Sequence, residues 1–263
     1  MRKAIVIILL VAMVGLAETQ DGLIESVLAN QKVAGALSWV NTIGRKTDDP
    51  AYLNLNYRLR RFYFSLTADG SHNPIVFFGD SITFGANWQQ LFPGYPVVNR
   101  GISGDTTLGL LNRQDEIIAL HPQRIFLMIG TNDLCFGRPI DKLVENYRHI
   151  LARFRTELPN TPVYVQSVLP FNDQMFPAKG LRQNENIRKI NVEIRKLAME
   201  YNYTYLDLTA PYSDQDGRLL PQYTYDGLHL NQNAYQVWRT QIDSFVKGKV
   251  TTTLVQKGNR SDQ

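Results

Sequence analysis

From Pro74 onward, hydrophobic residues recur in two rhythms. Short, nearly continuous apolar runs occupy Ile75–Phe78, Val97–Asn99, Arg124–Ile129, Val163–Val168 and Thr204–Leu208. Between them, apolar positions return with helical spacing over roughly Thr106–Leu120, Ile140–Glu157, Gln183–Tyr201 and Asn231–Val246. The first rhythm predicts strands buried on both faces, the second amphipathic helices. Parallel strands joined by right-handed helical crossovers give an α/β fold: a doubly wound, three-layer α/β/α sandwich around a mainly five-stranded parallel sheet. Upstream, Tyr57–Leu66 mixes aromatics with Arg58, Arg60 and Arg61, the pattern of an amphipathic helix packing on a main domain. The expected organisation is a leader at 1–17, a helical extension at 18–70, the α/β domain at 71–250 and a polar tail at 251–263.

Composition narrows this picture. The chain has 263 residues, enough for one α/β domain with a small appendage. Its formal charge of +4 is scattered, with no basic stripe, so nucleic acid is not an expected partner. Met1-Arg2-Lys3, the apolar run Ile5–Leu16, the small residues Gly15 and Ala17 and then polar Glu18-Thr19-Gln20 form a secretory signal-peptide pattern. The rival, an uncleaved anchor, needs about 20 apolar residues, more than this run supplies. A periplasmic or secreted protein is expected, with no stable membrane insertion once the leader is gone. Cys135 is the sole cysteine, which rules out an intramolecular disulfide. It has no evident paired base and reads as a small, partly buried apolar residue. No cluster of metal-ligand type is visible, and no cofactor is expected.

A doubly wound sheet presents its functional edge at the carboxyl ends of its strands. Ser81 meets that condition: it follows the first run directly, after Gly79, where a helix N-terminus favours negative charge. Taken alone, Gly79-Asp80-Ser81 describes a helix N-cap equally well. Asp226-Gly227-Leu228-His229 follows the fifth run, and an Asp three residues before a His can hold the ring that activates a serine. Among the other histidines, His121 leads into a strand and His149 lies within a helix. Asp69-Gly70-Ser71-His72 repeats the Asp–His spacing, but it precedes the first strand and so falls at the wrong edge. Asn99-Arg100-Gly101 follows the second run and Gly130-Thr131-Asn132-Asp133 the third. The Gly101 N–H and the Asn132 amide are candidate donors to a tetrahedral oxyanion. Asp80, Asp105 and Asp133 are expected to cap turns or helices.

Together these blocks resemble the SGNH (GDSL-type) hydrolase family over about residues 74–247. Asn99–Thr107 and Arg124–Asp133 look typical of its platelet-activating-factor-acetylhydrolase-like bacterial esterase branch. The resemblance implies a flavodoxin-like sheet, with Ser81 as nucleophile, His229 as base and Asp226 as the third triad member. It also implies an oxyanion hole from the Ser81 N–H, the Gly101 N–H and the Asn132 side chain. The expected substrate is a small-molecule or glycan ester, with a carbohydrate O-acetylesterase as the leading reading. A lipid or aryl esterase with the same triad, or a non-catalytic carbohydrate-binding protein on this fold, are the alternatives. Phe171–Ala178 should border the pocket, with Phe171 itself packed inside. Assembly into a homo-oligomer is left open.

Overall fold

The computed structural model describes residues 55–67 and 73–249. They belong to two units, Met1–Gly70 and Ser71–Gln263. The first contributes helix α1, Leu55–Thr67. The leader, most of the extension, the Asp69–His72 repeat and the polar tail lie outside the described residues.

The second unit is built on five strands: β1 Ile75–Gly79, β2 Val97–Gly101, β3 Arg124–Met128, β4 Val163–Gln166 and β5 Thr204–Leu206. All pair in parallel, in the order β2-β1-β3-β4-β5. The chain leaves β1 toward one side to make β2, then crosses back to make β3 on the other side. The crevice outside the carboxyl ends of β1 and β3 is therefore the topological switch point, where open α/β sheets bind ligands.

Alternation along each strand sends successive side chains to opposite layers. Val76 and Phe78 of β1, with Ile125 and Leu127 of β3, join one buried cluster. That cluster includes residues of α4 (Thr107–Asn112), α5 (Gln114–Ile118), α7 (Ile140–Glu157) and α8 (Asn184–Glu200). Ile75 and Phe77, with Phe126 and Met128, join the other. There they meet α2 (Ser81–Phe84), α3 (Trp88–Leu91) and α9 (Gln232–Val246); α6 (Thr131–Cys135) follows β3. Phe77 lies between the Trp88 ring, 3.6 Å away and nearly parallel, and the Phe126 ring at 4.9 Å. Full burial of each such side chain contributes about 1.5–3 kcal/mol, so both faces of the sheet drive its formation.

The predicted helix over Thr106–Leu120 is in fact two helices broken at Arg113. Its backbone (φ −120°, ψ 14°) leaves helical geometry, and its side chain is fully buried. A buried guanidinium must be paired, and the break delivers this one to partners beneath the strand ends.

Candidate active site

The Asp226–His229 loop is organised by its own carboxylate. Asp226 Oδ1 accepts from the N–H groups of Leu228 (2.9 Å) and His229 (2.8 Å), closing a tight turn. Its Oδ2 is thereby left to accept from the His229 ring, 2.7 Å from Nδ1. Gly227 permits the turn: its φ is +91°, and a side chain there would run into Asn172 O and Met175 Cβ at 2.8 Å. Thr224 closes the base of the loop, accepting from the Gly227 N–H and donating to the His229 carbonyl. Burial pushes the Asp226 carboxyl upward, but the hydrogen bonds from the His229 ring and from the two backbone N–H groups outweigh it. The carboxyl stays below its ordinary value and remains ionised.

Ser81 is the first residue of α2, with Asp80 as N-cap accepting from the Ile82 N–H at 2.9 Å. Side chains from other elements hold this short helix in place. Trp88 Nε1 donates to the Thr83 carbonyl (3.0 Å), and the Tyr235 hydroxyl on α9 donates to the Ile82 carbonyl (2.8 Å). Because α9 begins directly after the His229 loop, Tyr235 fixes the serine turn relative to the histidine. Ser81 Oγ then lies 3.1 Å from His229 Nε2, across 148 residues of sequence. Ser81, His229 and Asp226 thus form one hydrogen-bonded chain at the carboxyl edge of the sheet.

Asn132 lies on α6 and is almost fully buried. Its Nδ2 donates to the Asp105 carbonyl at 3.0 Å, leaving its second amide hydrogen for another acceptor. Arg182, also buried, approaches Asn132 Oδ1 at 3.5 Å and donates to the Thr131 carbonyl at 3.3 Å. A carbonyl on one side and a guanidinium on the other fix which way the amide points.

The Gly101 N–H, expected as an oxyanion donor, donates to Asn99 Oδ1 at 2.9 Å. Asn99 is turned this way because its Nδ2 clamps the carbonyls of Phe84 (2.9 Å), the last residue of α2, and Ala86 (3.1 Å). Glycine is needed at 101 for room: an added Cβ would lie 2.3 Å from Phe84 N and 2.9 Å from Asp80 O. The residue lets the serine helix pack directly on β2.

The three other aspartates do more than cap. Asp80 does cap α2. Asp133 reaches across to the start of α4, accepting from the Thr107 N–H (2.9 Å) and hydroxyl (2.6 Å), and Arg138 lies 2.8 Å away. Asp105 pairs with Arg113 and accepts from the Thr106 N–H. All three are buried. Burial raises Asp80 to about 7 against the pull of the Ile82 N–H, with the Asp105 charge adding to the rise. Burial likewise raises Asp105 to about 6 against Arg113, and Asp133 to about 6 against the Thr107 bonds.

Phe171 is fully buried in the core. The segment after it packs on the histidine loop, with Asn172 N donating to the Gly227 carbonyl at 2.7 Å. Cys135 is half-buried at the end of α6, and His121 and His149 are exposed. Arg113 and Arg182 escaped the sequence reading, because isolated arginines in polar stretches carry no motif. Among the described residues, no group of His, Cys, Asp or Glu is arranged to hold a metal ion.

A serine hydroxyl, a ring nitrogen and an oriented carboxylate in one hydrogen-bonded chain are the groups that nucleophilic acyl transfer requires. The model of the GDSL-like lipase/acylhydrolase family matches residues 77–237, and the chain belongs to that family. It is accordingly an acylhydrolase of carboxylic esters. The chain is 25% identical to platelet-activating factor acetylhydrolase IB subunit alpha1 of Bos taurus, over 71% of this chain and 78% of the relative. A solved structure from Streptococcus pneumonia, named for platelet activating factor, superposes with a TM-score of 0.67. It is 28% identical and covers 83% of this chain and 100% of its own. The acetyl xylan esterase AlAXEase shares the fold, with a TM-score of 0.53 at 21% identity, over 66% of this chain and 99% of its own.

Proposed function

We propose that the protein is a secreted serine esterase that removes short acyl groups, acetyl foremost, from a carbohydrate. The observation that carries this reading is the continuous Ser81–His229–Asp226 hydrogen-bond chain. With Nδ1–H donating to Asp226, His229 presents the Nε2 lone pair to Ser81 Oγ. Ser81 attacks the ester carbonyl as His229 takes the hydroxyl proton. The carbonyl oxygen becomes an oxyanion, held by the Ser81 N–H and the free Asn132 amide hydrogen. The intermediate collapses, His229 returns the proton to the departing alkoxide, and the acyl group remains on Ser81. Water activated by His229 then repeats the sequence and releases the acid.

Two features favour a small acyl group on a bulky, polar alcohol. The His229 and Asp226 side chains are each 43% exposed, so the reacting groups sit near the surface. Phe84, Phe136 and Tyr225 stand exposed on the chain segments that carry Ser81, Asn132 and Asp226. Such rings offer flat faces to sugars. The names of the bovine relative and of AlAXEase both specify acetyl esters. The leader pattern at 1–17 supports export.

Acetate release across a panel of acetylated glycans, compared with hydrolysis of matched acetyl and octanoyl aryl esters, tests this reading. Release from at least one glycan and preference for acetyl are expected, and Ser81→Ala should abolish both activities. Preference for octanoyl would favour the lipid or aryl esterase. Unchanged ester hydrolysis by Ser81→Ala would remove the triad.

A further inference from the structure

Arg113 is used neither by the triad nor by the proposed oxyanion donors, yet it is fully buried directly beneath them. Its Nε donates to Asp105 Oδ2 at 2.8 Å, and its Nη2 donates to the Gly79 carbonyl at 3.0 Å. The guanidinium carbon lies 4.5 Å from the centre of the Phe78 ring. Each contact leads to the site. Gly79 ends β1, two residues before Ser81, and its carbonyl also accepts from the Ile102 N–H just beyond β2. Asp105 offers its own backbone carbonyl to Asn132 Nδ2. A single planar fork therefore joins the turn that presents the nucleophile to the residue that aims the oxyanion donor.

Burying an ion pair such as Arg113–Asp105 is costly, and apolar side chains of similar volume in place of both partners commonly give equal or greater stability. The break between α4 and α5 that brings Arg113 inward adds lost helical bonds. A lysine could neutralise Asp105, but its point charge lacks the rigid fork that serves two acceptors in fixed directions. What this arrangement provides is a set distance between two groups that must meet the same reacting carbonyl. Misplacement there by about 1 Å can cost on the order of 10²-fold in rate.

We propose that Arg113 is a positioning residue that holds the Ser81 turn and Asn132 in mutual register. The inference rests on the proposed roles of Ser81 and Asn132. It is tested by a double-mutant cycle on the full chain, comparing wild type, Arg113→Met, Asn132→Ala and the double variant. Turnover of an activated acetyl ester is measured per reactive serine, counted by titration with a fluorophosphonate.

If Arg113 acts through the register, Arg113→Met lowers kcat by about tenfold or more in the wild-type background while KM changes by less than about twofold. In the Asn132→Ala background, where the partner to be registered is gone, the further loss is under about threefold. Arg113→Lys, the milder change in case the Met variant does not fold, recovers part of kcat and obeys the same cycle. Equal fold-losses in both backgrounds would show a general structural role and overturn the proposal, as would kcat within about twofold of wild type. The triad is judged separately by Ser81→Ala, so its failure would not be mistaken for failure of the register.

Discussion

Four aspartates stand near the reacting centre, and they divide between two environments. Asp226 lies in an open loop, receives three hydrogen bonds from the Leu228 and His229 segment, and is held below its ordinary pKa. Asp80, Asp105 and Asp133 lie under the strand ends, shielded from water and raised to about 7, 6 and 6. The same carboxyl group is thus kept charged where its charge orients an imidazole, and is pushed toward neutrality where its oxygens hold helix starts and buried side chains together beneath the strand ends. Solvent access, rather than residue type or nearness to Ser81, separates the two roles.

The sharpest way to break that division is to neutralise one member of each group. Asp226→Asn keeps the shape of the loop but favours the wrong imidazole tautomer, and kcat should fall by about 10⁴-fold. Asp80→Asn, one residue from the nucleophile, retains an oxygen to cap Ile82 and should cost less than about tenfold. Steady-state kinetics on one soluble acetyl ester checks both. Comparable losses would mean that Asp80 takes part in the chemistry and that the two environments do not define two roles. Asn132→Ala comes next, with a loss of roughly 10²-fold in kcat for removal of one oxyanion donor. A fall confined to KM would instead assign Asn132 to ground-state binding.

These distinctions were unequally legible in the sequence. The strands and the long helices could be read directly, because each apolar run had to be buried and the strand–helix alternation left few arrangements open. Asp226–His229 could be read because its geometry is local: three residues and one turn determine it. Ser81 meets His229 across 148 positions, and only the topological rule about strand ends brought them together. The break at Arg113 was hidden because its cause, Asp105 and the Gly79 carbonyl, lies on other elements. The crowding at Gly101 was hidden for a related reason. A glycine after a strand can signal close passage of another backbone, and only the position of Phe84 reveals it. The depth of Asp80, Asp105 and Asp133 was equally invisible, since a cap at the surface and a cap beneath a sheet edge are spelled alike.

The smallest predicted effect concerns that depth. A carboxyl near 4 in the unfolded chain and at about 6 or 7 in the folded one binds more protons when folded throughout the interval between. Stability from such groups is fully present below about pH 4 and is lost as pH rises through the folded values. Asp226, with its value lowered, contributes in the opposite sense, but its transition lies at or below the ordinary carboxylate range and is complete by pH 5. Between pH 5 and pH 8 the buried three should therefore dominate, and thermal unfolding should occur a few degrees lower at pH 8 than at pH 5. Asp80→Asn removes the group with the highest value, so it should flatten this slope and unfold at a higher temperature than wild type at pH 8. If Asp80→Asn instead unfolds at a lower temperature there, ionised Asp80 is stabilised by its surroundings. The contrast with Asp226 would then rest on Asp105 and Asp133 alone.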